Sequence, residues 1–218
     1  MTRWLAAAVL LLFTPLSLPA RSRHRKPPES TAGSFDYYLL SMSWAPGFCA
    51  QPSGHHTDLE CGQGRHVGFV VHGLWPQRTD GTRVENCGSA SPVSSDIVNS
   101  MLPLMPDAGL IQHEWKTHGT CSGLSAADYF GLIRKAAGVV QVPDALKALA
   151  AETHSAPQDI EGKFAQANGT SDHDFRVSCP SNELREIRSC LTKDAQLMEC
   201  PADLQECHAG QILVRPVQ

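Results

Sequence analysis

Eight cysteines constrain this chain more than any other feature: Cys49, Cys61, Cys87, Cys121, Cys179, Cys190, Cys200 and Cys207. No two of them have the CxxC spacing of a zinc ribbon or a thioredoxin-like motif. An even number of well-separated cysteines reads instead as four disulfides, which persist only in an oxidising compartment. The N-terminus agrees. MTRWLAAAVLLLFTPLSLPA (1–20) carries one early arginine, an apolar run from Leu5 to Phe13 and small residues near Ala20. That is the layout of a secretory signal, and its apolar core is too short to span a bilayer. RSRHRKPPESTAG (21–33) is basic and then rich in Pro, Ser and Gly, so residues 21–34 are expected to be a disordered leader. Residues 35–218 are long enough for one sizeable core and too short for two typical domains. No later segment is apolar enough to cross a membrane.

The net charge is −4, so no global basic field recruits a polyanion at neutral pH. Ten histidines change that balance, because their protonation below roughly pH 6 reverses the sign of the chain. An anionic partner is therefore favoured by mildly acidic conditions.

Strand and helix signals are interleaved. DYYLLSMSW (36–44) suits a buried strand ending at Ala45-Pro46-Gly47. HVGFVVHGLWP (66–76) alternates, with Val67, Phe69 and Val71 on one face and Val70 and His72 on the other, until Gly73 and Pro76 end it. Helical spacing marks 91–106, LIQHEWKTHGT stopped by Gly119, and 125–140 capped by Ser125. Shorter helices are expected at 143–152 and 157–169, and strands at 182–191 and 211–217. The pattern predicts one α+β domain: a central antiparallel sheet with several packed helices, stapled by disulfides.

The densest chemistry lies in HEWKTHGTC (113–121). A helical zinc-hydrolase motif needs histidines at i and i+4 on one face. His113 and His118 are five apart, about 140° around a helix, so they do not share a metal from one helix. Glu114 and His118 are at i and i+4 and do share a face. A carboxylate beside an imidazole is an acid/base arrangement, which needs a second titrating partner. His72, next to Gly73, is the best candidate, although alone it reads as a buried, hydrogen-bonded histidine.

Taken together, VHGLWP (71–76) and HEWKTHGTC resemble the two signature motifs of the ribonuclease T2 family of secreted endoribonucleases, in the family's order and with Cys87 between them. The resemblance extends through YYLLSMSWAPGFC (37–49) and NELREIRSCL (182–191). It implies His118 as the general base on a ribose 2′-OH and His72 as the general acid on the departing 5′-oxygen. It places His113 and Glu114 against the phosphate. The product is then a 2′,3′-cyclic phosphate, with no metal and no cofactor, and single-stranded RNA is the partner. DNA has no 2′-OH to activate and is not cleaved. A monomer with no membrane attachment after signal removal is expected. One neutral and one protonated histidine imply a bell-shaped pH–rate profile with an acidic optimum. The resemblance also pairs Cys87 with Cys121, tying the two motifs together. Cys49–Cys61 is the second expected pair, and Cys179–Cys207 around Cys190–Cys200 is preferred over sequential pairing.

Base recognition is less defined. Trp75 either stacks on a base or supports the His72 turn in the core. Gln77 is placed to meet a base edge, and Trp44, Phe48 and Trp115 are expected in the core. Asn168-Gly169-Thr170 forms a glycosylation sequon, read as an ordinary turn.

One position departs from the family pattern. Thr117 stands where the second motif carries lysine, and Lys116 is one residue early, about 200° from His118 rather than 100°. The missing charge is expected to fall to a protonated His113, to a Thr117 hydrogen bond, or to Lys116 if the segment leaves ideal helix. A catalytically weakened relative that mainly binds RNA or a protein is the alternative. Cleavage is expected to be retained but reduced, since a cation facing the phosphate contributes directly to the rate. Thr117→Lys is therefore expected to raise the rate of RNA cleavage. An unchanged or lower rate contradicts this account of the departure.

Overall fold

The computed structural model describes residues 31–52, 54–204 and 207–217 together with Met1. The expected signal (1–20) and most of the expected leader (21–34) lie outside the described residues. The described chain is a single α+β domain in the order β1 (Tyr37–Trp44), α1 (Ala45–Cys49), α2 (Asp58–Cys61), β2 (Phe69–Gln77), α3 (Ser95–Met101), α4 (Ala108–Thr117), α5 (Ala126–Val139), α6 (Asp144–Lys147), β3 (Thr153–Ser155), α7 (Pro157–Asn168), β4 (Phe175–Ser178), β5 (Glu186–Leu191) and β6 (Ile212–Val214).

The main sheet is antiparallel with strand order β2-β1-β5-β4, and β3 pairs with β6 in a small second sheet. Alternation along β1 sorts its side chains. Tyr38, Leu40, Met42 and Trp44 enter the large core with the helices, while Tyr37 and Leu39 join a smaller cluster on the opposite face with Cys190 and Cys200. Buried residues of α5, Tyr129, Phe130, Ile133 and Ala136, follow helical spacing into the large core. Its start is fixed by Ser125, which accepts the Asp128 N–H. Asp107 caps α4 in the same way through the N–H groups of Gly109 and Leu110.

Several boundaries differ from those expected. Pro46 occupies the first turn of α1 rather than ending the chain's regular structure, because proline is compatible with a helix N-terminus. The helix expected over 143–152 stops at Lys147, and Thr153–Ser155 pairs with β6 instead. β4 was not evident from the sequence, being only four residues long. β2 runs straight through Gly73 and Pro76. It is an outer strand, where a missing N–H costs no ladder bond. The outward Val71 N–H is taken by the Leu104 carbonyl at 2.9 Å.

The register between β1 and β2 steps from Ser41↔Gly73 to Met42↔Val71. His72 is thus an extra residue on β2, a β-bulge that shifts the alternation, so that Leu74 rather than Gly73 follows Val71 into the large core. The Leu74 carbonyl accepts a buried hydrogen bond from Tyr129 Oη at 2.8 Å.

Four disulfides pair Cys49 with Cys61, Cys87 with Cys121, Cys179 with Cys207 and Cys190 with Cys200. The Asn168 side chain is fully engaged, donating to the Gln141 and Phe164 carbonyls and accepting from the Gln141 N–H. Gly169 supplies the left-handed residue that ends α7.

Cys87–Cys121 closes a separation of 34 residues, for which chain entropy gives about 4 kcal/mol of stabilisation. The Cys87→Ala/Cys121→Ala variant is expected to lose most of that, about 3–4 kcal/mol in chemical denaturation. A loss below about 1 kcal/mol would contradict the chain-entropy account.

Candidate active site

The site is assembled from β2, α4 with the turn that follows it, and β5. His72 reaches it because the bulge swings the ring off the regular pleat. The next residue is glycine for a steric reason. A Cβ at Gly73 would overlap Glu114 Oε2 and stand 2.5 Å from Trp75 Nε1 and 2.7 Å from Glu114 Cδ. The absence of that atom lets a carboxylate from α4 pack against the strand backbone.

Glu114 is only 1% exposed. Its Oε2 accepts the Trp75 Nε1–H at 2.8 Å, and its Oε1 lies 3.7 Å from His72 Nε2. Burial pushes its acid up to about 7, against the opposing pull of the His72 charge and the Trp75 hydrogen bond. In mildly acidic water this group is therefore largely protonated and able to donate.

The helix that carries Glu114 ends immediately after Thr117, with His118 as its cap. The His118 ring lies 5.3 Å from Trp75, and the His72 ring meets the same indole edge-on at 5.2 Å. His118 Nδ1 is buried with no hydrogen-bond partner among the described residues. Burial, reinforced by the charges of His113 and His72, pulls the His118 pKa down to about 4, so its ring is neutral over most of the pH range.

His72 is set the other way. Burial also lowers its pKa, but the hydrogen bond and charge of Glu186, with help from Glu114, outweigh burial and the Arg188 charge, and the net shift is upward. The Nδ1–Glu186 Oε1 distance is 2.5 Å. Glu186 accepts from Arg188 through its other oxygen, at 2.9 and 2.6 Å, and the Arg188 guanidinium lies 5.0 Å above the Trp75 ring. Burial raises the Glu186 pKa, yet His72 and Arg188 together hold it down at about 2.

Glu186 and Arg188 escaped the sequence reading. The available signal was a Glu-x-Arg alternation within a strand otherwise made of Ile187, Ser189, Cys190 and Leu191. Charged residues on an interior strand require partners.

The remaining expected site residues divide. His113 is exposed on the rim, with the Thr117 hydroxyl 3.5 Å from its Nε2. Lys116 is exposed, its carbonyl accepts from the Thr120 hydroxyl, and its ammonium makes no hydrogen bond or ion pair among the described residues. Trp75 makes the contacts of a support, its N–H bonded to Glu114 and its ring against both histidines and Arg188. Trp44 is buried and Trp115 packs partly against the core, but Phe48 instead lines a cleft of about 550 Å³ that includes His72, His113, Leu110 and Glu60.

Such an arrangement, a neutral imidazole and a protonated one around a buried carboxyl group, can remove one proton and deliver another across a phosphate. Residues 35–200 match the Ribonuclease T2 family, and the chain belongs to that family. A ribonuclease of Aeromonas hydrophila is 30% identical over 199 residues, covering 87% of this chain and 90% of that one. Ribonuclease DdI of Dictyostelium discoideum is 27% identical over 91% of this chain and 92% of its own. Matches in Haemophilus influenzae and Arabidopsis thaliana proteins span 47% and 45% of those chains, about half their length. Ribonuclease MC1 from bitter gourd seeds superposes with a TM-score of 0.64 at 26% identity, over 82% of this chain and 99% of that one.

Gly73→Ala is expected to cost about 1–3 kcal/mol through overpacking and to lower activity by displacing Glu114. Thermal unfolding and cleavage rate, measured together, check this. A stable and fully active variant contradicts the close-approach argument.

Proposed function

We propose that this protein is a metal-independent endoribonuclease that cleaves single-stranded RNA through a 2′,3′-cyclic phosphate, with His118 as base and His72 as acid. Ribonuclease activity goes with membership of the family. The observation that carries the mechanism is the opposite electrostatic setting of two rings that both pack against Trp75. His118, desolvated and neutral, is suited to take the proton of a ribose 2′-OH as that oxygen attacks phosphorus. His72, charged through its carboxylate partner, is suited to give a proton to the departing 5′-oxygen. The acid of Glu114, raised by burial, is suited to donate to a non-bridging phosphate oxygen as charge accumulates there. His113 and Thr117 lie on the rim where the phosphate enters. Among the described residues Lys116 has no contact that brings it inward.

Selectivity for RNA follows from the nucleophile. Without a 2′-OH the base has nothing to deprotonate, so DNA is not cleaved. Four disulfides support secretion into an oxidising compartment. The reading of a binding protein that has lost its chemistry is not favoured, because His72, Glu114 and His118 are all present and brought together.

The sign of the pH dependence follows from the two histidines. The base works only when neutral, so activity is lost as pH falls through about 4. The acid works only when protonated, so activity is lost as pH rises through the His72 pKa, above its ordinary 6.5, and ionisation of the donating Glu114 through about 7 adds to the same alkaline loss. A bell between these limits is expected. RNA cleavage should survive EDTA, DNA should remain intact, and His72→Ala or His118→Ala should each lose about 10²–10⁴-fold in rate. Cleavage abolished by chelation, or a rate flat from pH 4 to 9, overturns the mechanism.

A further inference from the structure

His72 is steadied by a strand that belongs to neither signature segment. We propose that Glu186, clamped by Arg188, is the positioning residue that makes His72 a proton donor directed at the leaving oxygen; this rests on the ribonuclease reading above.

The geometry assigns each atom a task. Glu186 Oε1 sits 2.5 Å from His72 Nδ1, which fixes the hydrogen on that nitrogen and turns Nε2 toward Glu114 and the open side of the site. Glu186 Oε2 is occupied by two N–H groups of Arg188, so the carboxylate is held from both ends. Arg188 in turn covers Trp75, whose indole N–H is bonded to Glu114. His72, Glu186, Arg188, Trp75 and Glu114 therefore form a closed ring of contacts, and the imidazole has little freedom to rotate. As the bond from phosphorus to the 5′-oxygen breaks, the Nε2 proton passes to that oxygen. The ring is left neutral with Nδ1–H still on Glu186, and the carboxylate remains ionised throughout.

Other charges also face His72. Glu114 and His118 approach from α4 and its cap, Arg188 from β5 beside Glu186, and Glu60 from α2. His55, Asp107, His113 and Arg185 line the adjoining cleft. Among them only Glu186 combines contact distance with a charge that stays ionised at acidic pH, since burial holds the Glu114 acid up near 7 and raises Glu60 similarly. Arg188 acts on His72 in the opposite sense, so its benefit is to orient and ionise Glu186.

Glu186→Gln tests the assignment, because the amide oxygen can still accept from Nδ1–H while the charge is gone. Two readouts are required: the pH–rate profile for RNA cleavage, and the titration of the His72 ring nitrogens by NMR. Loss of the carboxylate is expected to move the alkaline limb and the His72 midpoint down together by about one pH unit, with the acidic limb set by His118 in place. A rate lowered equally at every pH with an unmoved His72 midpoint overturns the proposal and leaves Glu186 a purely structural group. If Glu186→Gln does not fold, Glu186→Asp keeps the charge but withdraws it by one methylene. A smaller downward shift then supports the assignment, and an unmoved midpoint overturns it. Absence of RNA cleavage by the unaltered protein would remove the ribonuclease reading, while the NMR titration would still decide whether Glu186 governs His72.

Discussion

The site depends on a carboxyl group pressed against a glycine. Glu114 comes from α4 and Gly73 from β2, and the two approach so closely that even a methyl group between them would overlap the carboxyl oxygen. That contact fixes the helix against the strand at the point where each carries a histidine. It also removes Glu114 from water, which raises its acid into the range where it can donate. The Trp75 N–H compensates the buried oxygen, as a buried polar atom requires. The Cys87–Cys121 bond then ties the segment that leaves β2 to the turn that follows α4.

Two histidines in one small site would ordinarily titrate alike. They are separated by what each is given as a partner. His118 has a ring nitrogen buried without an acceptor among the described residues, so charging it is unfavourable. His72 has an ionised carboxylate at hydrogen-bond distance, so charging it is favourable despite comparable burial. Opposite electrostatic settings of two identical side chains are thus built from their surroundings, with both rings packed on one indole.

Much of this was legible in the chain. The α+β interleaving rests on local periodicity, which survives folding. The i, i+4 reading of Glu114 beside His118 did not give the partners: the Glu114 carboxyl meets Trp75 and His72, while His118 caps the helix and its ring is held neutral by burial. The features that escaped notice are those made by long-range pairing. Glu186 meets His72 across 114 residues of sequence, and nothing in Arg185-Glu186-Ile187-Arg188 announces that partner. The bulge was equally hidden. HGLWP read as the end of a strand because glycine and proline usually punctuate, whereas here glycine admits a side chain and proline sits where no ladder bond is needed. Lys116 shows the reverse. Its sequence neighbourhood suggested the site, but the helix turns it to solvent.

The position of β2 has a consequence for the molecule in solution. An outer strand with a row of free N–H groups is a template on which another chain can add. Here the bulge breaks the strand's regular pleat, the Val71 N–H is already bonded to Leu104, and Pro76 has no hydrogen to offer. The irregularity that lifts His72 off the pleat also makes this edge a poor template for another strand, so the same few residues discourage sheet-to-sheet aggregation.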